Sequence, residues 1–269
     1  MSLVSANTSQ ILSKETMTNT DPAPRLRVAV FRPADERLDD AVELLDSLGT
    51  DPVADPMLAV EATGATPRTD SDFVVFTSKT GVELVAEAGW QPDGATVCAI
   101  GESTAAALRT AGYEVDVVPE TYSSSGLVNS LEGTVDGRRV EVARSDHGSD
   151  VLIDGLSGAG AYVHETILYR LVRPEGAGQS TELAARGDLG AALFTSSLTV
   201  EHFLDAAEER GIRDSAIAGL ADAVVGTIGV PTKETAESHG IAVDFVPETA
   251  DFETLACEVV EQAAPTYHG

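Results

Sequence analysis

The sequence predicts an α/β protein built as two similar three-layer domains, each a parallel sheet with helices on both faces. Two observations carry the prediction. From Leu26 to Ala264 short β-rich runs alternate with helical stretches, the pattern of parallel strands joined by crossover helices. The text also repeats. "VCAIGESTAAALRTAGYEVDVVPET" (Val97 to Thr121) lies over "VGTIGVPTKETAESHGIAVDFVPET" (Val225 to Thr249) at an ungapped offset of 128, with the Ile-Gly pair, Thr104, Gly112 and the "VPET" ending in register. Upstream of each copy stands the same corner, "FTSKT" at Phe76 to Thr80 and "FTSSLT" at Phe194 to Thr199.

Taken in order, the first half reads as strand "LRVAVF", helix Asp39 to Leu48, strand "FVVF", helix Val82 to Ala88, strand "TVCAI", helix Ser103 to Thr110, strand "VDVV" and helix Ser125 to Leu131. The second half continues with "RVEVA" and helix Asp150 to Leu156, the long strand "AYVHETILYRLV", then "AALF" and helix Val200 to Arg210. "AVVGTI" with helix Thr232 to Ser238, and "VDFV" with helix Phe252 to Ala264, complete it. Two β-prone stretches, "VADPMLAVEATG" (Val53 to Gly64) and "YVHETILYRLVRP" (Tyr162 to Pro174), bracket the first corner and its repeat block. If both cross between domains, one domain is inserted into the other; a sequential pair split near Gly133 is the competing arrangement.

Composition bounds the function. With 269 residues, 43% of them apolar, the chain can bury two cores, and no apolar run approaches the roughly 20 residues that span a bilayer. A cytoplasmic monomer that does not engage membranes is expected. Residues 1–24 are polar, lack periodicity, and read as a loose extension. The formal charge of -27 and only three lysines, Lys14, Lys79 and Lys233, suit a halophilic cytoplasm, where molar salt screens self-repulsion. No basic stripe exists to neutralise phosphates, so a nucleic-acid partner is not expected. Cys98 and Cys257 have no companion at metal-ligand spacing, so neither a metal site nor a disulfide is expected.

The corners hold the candidate chemistry. Thr77, Ser78, Ser103, Thr104, Ser196, Ser197 and Thr232 fall where strands give way to helices, and Gly101 and Gly229 allow close backbone approach. In open parallel sheets those strand ends line the ligand crevice, and free N–H groups at helix starts favour anions. An anionic ligand held by small groups is the reading; the plain alternative is that each hydroxyl is only a helix cap. Arg32 and Arg144 follow strands, as candidates to grip carboxylates or as surface partners of the abundant acids. Tyr169, on the long return strand, is the one phenol placed to look into a cleft, or else a structural tyrosine. The histidines are scattered, with His147 in a loop, and no nucleophile elbow, Walker loop or dinucleotide fingerprint occurs.

The ordered set "VAVFRP", "DPML", "VVFTSKTGVE", "AIGESTAAAL", "VDVVPETYSSSGL", "ARSDHGSDVLIDGL", "ETILYRLV", "LFTSSLTVEHFL" and "TIGVPTKETAESHGIAVDFVPE" resembles the uroporphyrinogen-III synthases, over nearly all of Leu26 to Ala264. The resemblance implies the inserted arrangement: 25–57 with 171–265 as one domain, 60–167 as the other, and 57–60 and 167–171 as linker strands. It implies a cofactor-free hydro-lyase that closes hydroxymethylbilane, a linear tetrapyrrole with eight carboxylates, while inverting ring D. The hydroxymethyl group leaves to give an azafulvene, and a spirocyclic pyrrolenine precedes reclosure. The family's positions of interest fall on Ser78, Thr104, Tyr169, Ser196 and Thr232, with the tyrosine assisting departure of the hydroxyl. Lys79 stands where a proline is common in the family. The expected substrate-binding set is thus Arg32, Thr77, Ser78, Lys79, Gly101, Ser103, Thr104, Arg144, Ser196, Ser197, Gly229 and Thr232, with Tyr169 catalytic. A non-catalytic binder of polycarboxylate anions and a nucleotide-dependent enzyme are the competing functions.

Overall fold

The computed structural model describes residues 25–264, so the extension expected over 1–24 lies outside the described residues. The chain opens with β1 (Arg27–Phe31), α1 (Glu36–Ser47) and β2 (Asp51–Ala54). It then crosses into an inserted domain comprising β3 (Ala59–Ala62), β4 (Phe73–Phe76), α2 (Lys79–Glu87), β5 (Thr96–Ala99), α3 (Glu102–Thr110), α4 (Ser124–Leu131), β6 (Arg139–Ser145), α5 (Val151–Gly158) and β7 (Tyr162–Val172). It returns for α6 (Gln179–Ala185), β8 (Ala191–Phe194), α7 (Ser197–Glu209), α8 (Arg213–Leu220), β9 (Val224–Thr227), α9 (Val230–Ser238) and α10 (Phe252–Ala263).

Two sheets result, β2-β1-β8-β9 in the outer domain and β3-β7-β6-β4-β5 in the inserted one. All pairings are parallel except β3 with β7, which run antiparallel from Ala59 opposite Val172 to Ala62 opposite Tyr169. The strands read as unbroken apolar runs because alternate residues enter different layers. Ala29 and Phe31 join the core beneath α7 and α9, while Val28 and Val30 face α1 and α10. In the inserted domain Val74 and Phe76 pack with α2 and α3, and Val75 packs with α4 and α5. Phe31, Phe194 and Phe203 form an aromatic knot in the outer core, Phe31 and Phe194 stacking at 4.4 Å.

Three expectations need correction. "VDVV" and "VDFV" are not strands; each makes a single bridge, Cys98 to Val117 and Gly226 to Phe245. Backbone bonds still join each to its neighbour, Asp116 N–H to the Val97 carbonyl and Asp244 N–H to the Val225 carbonyl, and the two carboxylates add to them by accepting from Val97 N–H and Val225 N–H at 2.8 Å each. That the same side-chain bond accompanies the same backbone bonds twice shows how far the repeat extends. Second, α6 and α8 are additional to the expected helices; α8 occupies the ten extra residues that separate the corner from the Ile-Gly pair in the second copy. Third, the expected crossing strand from Val53 to Gly64 is divided, β2 belonging to the outer sheet and β3 to the inserted one.

Asp55 accounts for that break. Only 2% exposed, it leaves β2 and accepts from Gly178 N–H (2.7 Å), Ser180 N–H (2.9 Å) and the Ser180 hydroxyl, fastening the outgoing crossing to the returning one. His202 on α7 lies 2.5 Å from the Met57 carbonyl, Met57 is fully buried in the outer core, and Arg173 pairs with Glu209 on α7. Both crossings are therefore tied to the outer domain up to where β3 and β7 begin and end.

Candidate active site at the sheet edges

Since β4, β5 and β6 run parallel, as do β1, β8 and β9, the loops after them collect on one edge of each sheet. Ser78 and Ser196 are true helix caps: the Ser78 hydroxyl accepts from Gly81 N–H at 3.0 Å and the Ser196 hydroxyl from Thr199 N–H at 3.2 Å. Thr199 completes a reciprocal capping box by accepting from Ser196 N–H. Lys79 begins α2, is exposed, and reaches Glu83 at 3.4 Å. Thr77 continues the sheet, its N–H donating to the Ala143 carbonyl. Ser197 donates to the Pro231 carbonyl (3.2 Å) and accepts from Thr235 (2.9 Å), joining α7 to α9.

Gly101 and Gly229 occupy the cap positions of α3 and α9, in extended backbone and with no side chain capping either helix. Ser103, Thr104 and Thr232 consequently lie inside the first helical turns, not at the caps where the hydroxyl reading put them. Ser103 is exposed, while Thr104 and Thr232 are buried. The side chain of Tyr122 covers Gly101 so closely that a Cβ there would sit 3.1 Å from the Tyr122 Cβ. Tyr122 is itself 64% exposed and puts an aromatic ring at the same edge, a feature the sequence reading missed.

Tyr169 is placed differently from the cleft-facing phenol expected. It is 7% exposed and its hydroxyl donates to Ser78 Oγ at 3.0 Å. A register shift brings it there: Arg144 lies opposite Ile167 but Ser145 lies opposite Tyr169, leaving Leu168 as an extra residue. A bulge re-aims the side chains that follow it, so Leu168 and Tyr169, consecutive in the chain, both enter the core shared with α2.

The arginines divide. Arg144 does not present a free guanidinium: it is buried, pairs with Glu165, donates to the Ser149 carbonyl at 2.7 Å, and lies 3.5 Å from Asp150. It organises the loop after β6, where a Cβ on Gly148 would come within 2.6 Å of its Cδ. Arg32, at the edge after β1, stacks its guanidinium 4.2 Å from the Phe252 ring centroid and donates to the Arg37 carbonyl. Its pKa is lowered from the ordinary arginine value, chiefly by burial and then by the neighbouring Arg37. Beside Tyr169, Asp146 Oδ1 accepts from Leu171 N–H (3.0 Å) and lies 2.8 Å from His147 Nδ1. Burial pushes the Asp146 carboxyl up, but these bonds outweigh it and leave the group below its usual range. No group of three or more metal-ligating side chains occurs among the described residues.

Comparison with known proteins gives this geometry a family. A family model described as uroporphyrinogen-III synthase HemD matches residues 39–257. A Methanothermobacter thermautotrophicus protein, provisionally named a uroporphyrinogen-III synthase, is 34% identical over 230 residues, covering 80% of this chain and 90% of that protein. The uroporphyrinogen-III synthase of Chlorobaculum parvum is 23% identical over 168 residues, 61% of this chain and 65% of that one. Among solved structures, a mutant uroporphyrinogen III synthase from Thermus thermophilus has the same fold, with a TM-score of 0.63 at 20% identity, covering 90% of this chain and 99% of that one. Uroporphyrinogen-III synthetase from Helicobacter pylori gives a TM-score of 0.58 at 16% identity, covering 90% and 100%. The chain, whose residues 39–257 carry both copies of the serine corner and both glycine-capped helices, belongs to the uroporphyrinogen-III synthase family.

Proposed function

We propose that the chain closes hydroxymethylbilane to uroporphyrinogen III, with loss of water and inversion of ring D, by gripping the substrate's carboxylates along the two sheet edges. The observation that carries the reading of the site is its duplication. Each edge presents a serine-capped helix after its first corner, α2 or α7, and a glycine-capped helix, α3 or α9, whose first N–H groups have no side-chain acceptor. Helix N-termini favour anions, and four of them distributed over two domains suit a flexible ligand with eight carboxylates. Arg32 adds a cation at the outer edge. Substrate contacts are proposed for Ser78, Gly101, Ser196 and Gly229, with Thr77, Lys79, Ser103 and Ser197 beside them; Thr104 and Thr232, buried in the first turns of α3 and α9, are proposed to act by holding those helix starts. Arg144 is proposed to act through the loop it holds.

The linear substrate closes unaided to isomer I, so the protein's task is to select a different closure. Orientation does this by holding the reacting ends in one geometry. The chain is further proposed to be a monomer of a salt-rich cytoplasm. Its charge of -27 repels a polyanion at low salt, and screening to a Debye length of roughly 3 Å near 1 M removes most of that repulsion. Incubation of the full chain with hydroxymethylbilane in molar KCl, followed by oxidation and separation of the uroporphyrin isomers, tests the reading. Predominant isomer III is expected, with turnover rising from about 0.1 M to molar KCl. Isomer I alone from folded protein would leave an anion-binding protein in its place.

A further inference from the structure

We infer that Ser78, not Tyr169, is the hydroxyl that meets the substrate's departing oxygen, and that Tyr169 acts through it as a positioning residue; this rests on the function proposed above. The argument begins with burial. A phenol 7% exposed, packed with Phe76, Val82 and Leu168, has little surface to offer a tetrapyrrole, whereas Ser78 is half-buried at the open end of β4.

Hydrogen-bond stoichiometry then fixes what Ser78 can do. A serine oxygen has two lone pairs and one proton. Gly81 N–H donates to Ser78 Oγ at 3.0 Å and the Tyr169 hydroxyl lies 3.0 Å from it; a phenol is a stronger donor and weaker acceptor than an alkyl hydroxyl, so with Tyr169 donating both lone pairs are occupied and the serine proton is what remains to be given. Donation into the oxygen polarises its own O–H, the cooperative strengthening expected of a hydroxyl chain.

The surroundings are shaped to permit this. The Leu168 bulge turns Tyr169 toward α2. Gly81 makes room for Leu168 against the start of α2: a Cβ there would stand 3.1 Å from both Leu168 Cδ1 and Ser78 Oγ. The matching position in the second copy is Thr199, whose hydroxyl closes a capping box on the Ser196 backbone N–H, while Ser196 Oγ accepts from Thr199 N–H. Although the two serines sit in the same sequence corner, only Ser78 has a second side-chain hydroxyl bonded to it.

In the reaction, the hydroxymethyl C–O bond breaks with its electron pair remaining on oxygen, and the pyrrole nitrogen supplies electrons to form the azafulvene. The Ser78 proton passes to the leaving oxygen, which departs as water, while the Tyr169 O–H stays hydrogen-bonded to the serine oxygen and stabilises its charge. Attack through the substituted carbon of ring D gives the spirocyclic pyrrolenine, which opens and recloses at the unsubstituted carbon, and the proton that carbon sheds on regaining aromaticity returns to Ser78. One water is lost, and both hydroxyls end as they began.

The test is a double-mutant cycle on the full chain with hydroxymethylbilane, reading kcat and KM for isomer III. Ser78→Ala is expected to lower kcat on the order of 100-fold and Tyr169→Phe about 10-fold, both with KM nearly unchanged. In the Ser78→Ala background, Tyr169→Phe should cost less than about twofold, because the phenol's route to substrate has gone. Ser78→Thr, which keeps the hydroxyl and the cap, should restore most of the rate; Ser78→Asn, which keeps the cap without the hydroxyl, should not. A full Tyr169→Phe penalty in the Ser78→Ala background would overturn the inference, as would near wild-type kcat in Ser78→Asn. Wild-type protein yielding only isomer I would defeat the proposed function itself, a result distinct from either.

Discussion

The corners at Ser78 and Ser196 start from the same three letters and diverge in what the serine hydroxyl is used for. At Ser196 it is half of a closed capping box, with Thr199 as partner, and Thr195 donates to the Phe31 carbonyl at 2.6 Å. At Ser78 the box is missing because its partner position is Gly81, the space so left admits Leu168, and the Tyr169 hydroxyl reaches Ser78 from the same bulge. Duplication supplies two equivalent capped helices; a single glycine turns one of them into a junction between a helix start and a bulged strand.

Exchanging the two residues breaks the comparison most severely. Gly81→Thr builds a branched side chain where even a Cβ is crowded, and should cost about 3 kcal/mol by overpacking. Urea unfolding should show that loss, and kcat should fall to the level of Tyr169→Phe. The reverse exchange, Thr199→Gly, removes a fully buried side chain and the capping-box bond its hydroxyl accepts from Ser196 N–H, leaves the backbone N–H on Ser196 Oγ, and adds a flexible residue to α7. A loss of about 2 kcal/mol is expected, with isomer III still the product. If activity rather than stability collapses in Thr199→Gly, the two corners are less different than their hydrogen bonds indicate.

Smaller effects sharpen the same contrast along β5 and β9. Thr227 matches Ala99 in the first copy, is fully buried, and has a hydroxyl with no protein partner among the described residues. Thr227→Val replaces it with an isostere and should raise stability by about 1 kcal/mol in chemical denaturation. Cys98 matches Gly226, where α10 packs so closely that a Cβ would lie 2.5 Å from Val259 Cγ2. Burial, aided by Asp116, pushes the Cys98 thiol up to about 12, so almost none of it is thiolate at pH 8. A thiol reagent at that pH should modify Cys257 slowly and reach Cys98 only on unfolding. Equal labelling of both in folded protein would contradict the packing described.

The repeat, the layers and the helix caps were legible because each depends on neighbours close in sequence. "FTS" before an apolar helix specifies a capped corner at Ser78 and Ser196 whatever surrounds it. The glycine caps of α3 and α9 also fall at the residues singled out, although the hydroxyls beside them sit two or three residues past the cap, inside the first turn. What escaped was long-range. Asp55 in "DPML" reads as an exposed turn acid until residues 178–180, more than 120 positions away, supply its three donors. Arg144 reads as a free cation until Glu165 and the loop carbonyl of Ser149 enclose it. Tyr169 reads as a phenol looking into a cleft or a structural tyrosine; strict alternation puts Leu168 on the opposite face, and only a bulge, invisible to pattern, moves both to one side. α8 has too little apolar periodicity to stand out from the connection that contains it.

The pairing of Ala59 with Val172 has a consequence for how such a protein is assembled from parts. Facing residues on antiparallel strands lie about 5 Å apart, so the inserted segment begins and ends at nearly one point. Every strand of its sheet comes from residues 59–172, and none of the outer sheet does. A gene fragment encoding that segment could be removed as one cassette and the gap closed by a short turn, leaving β2, β1, β8 and β9 with all their partners. Two modules are thus nested in the chain yet separable at a single seam, the arrangement left when one copy of a duplicated unit is spliced into a loop of the other.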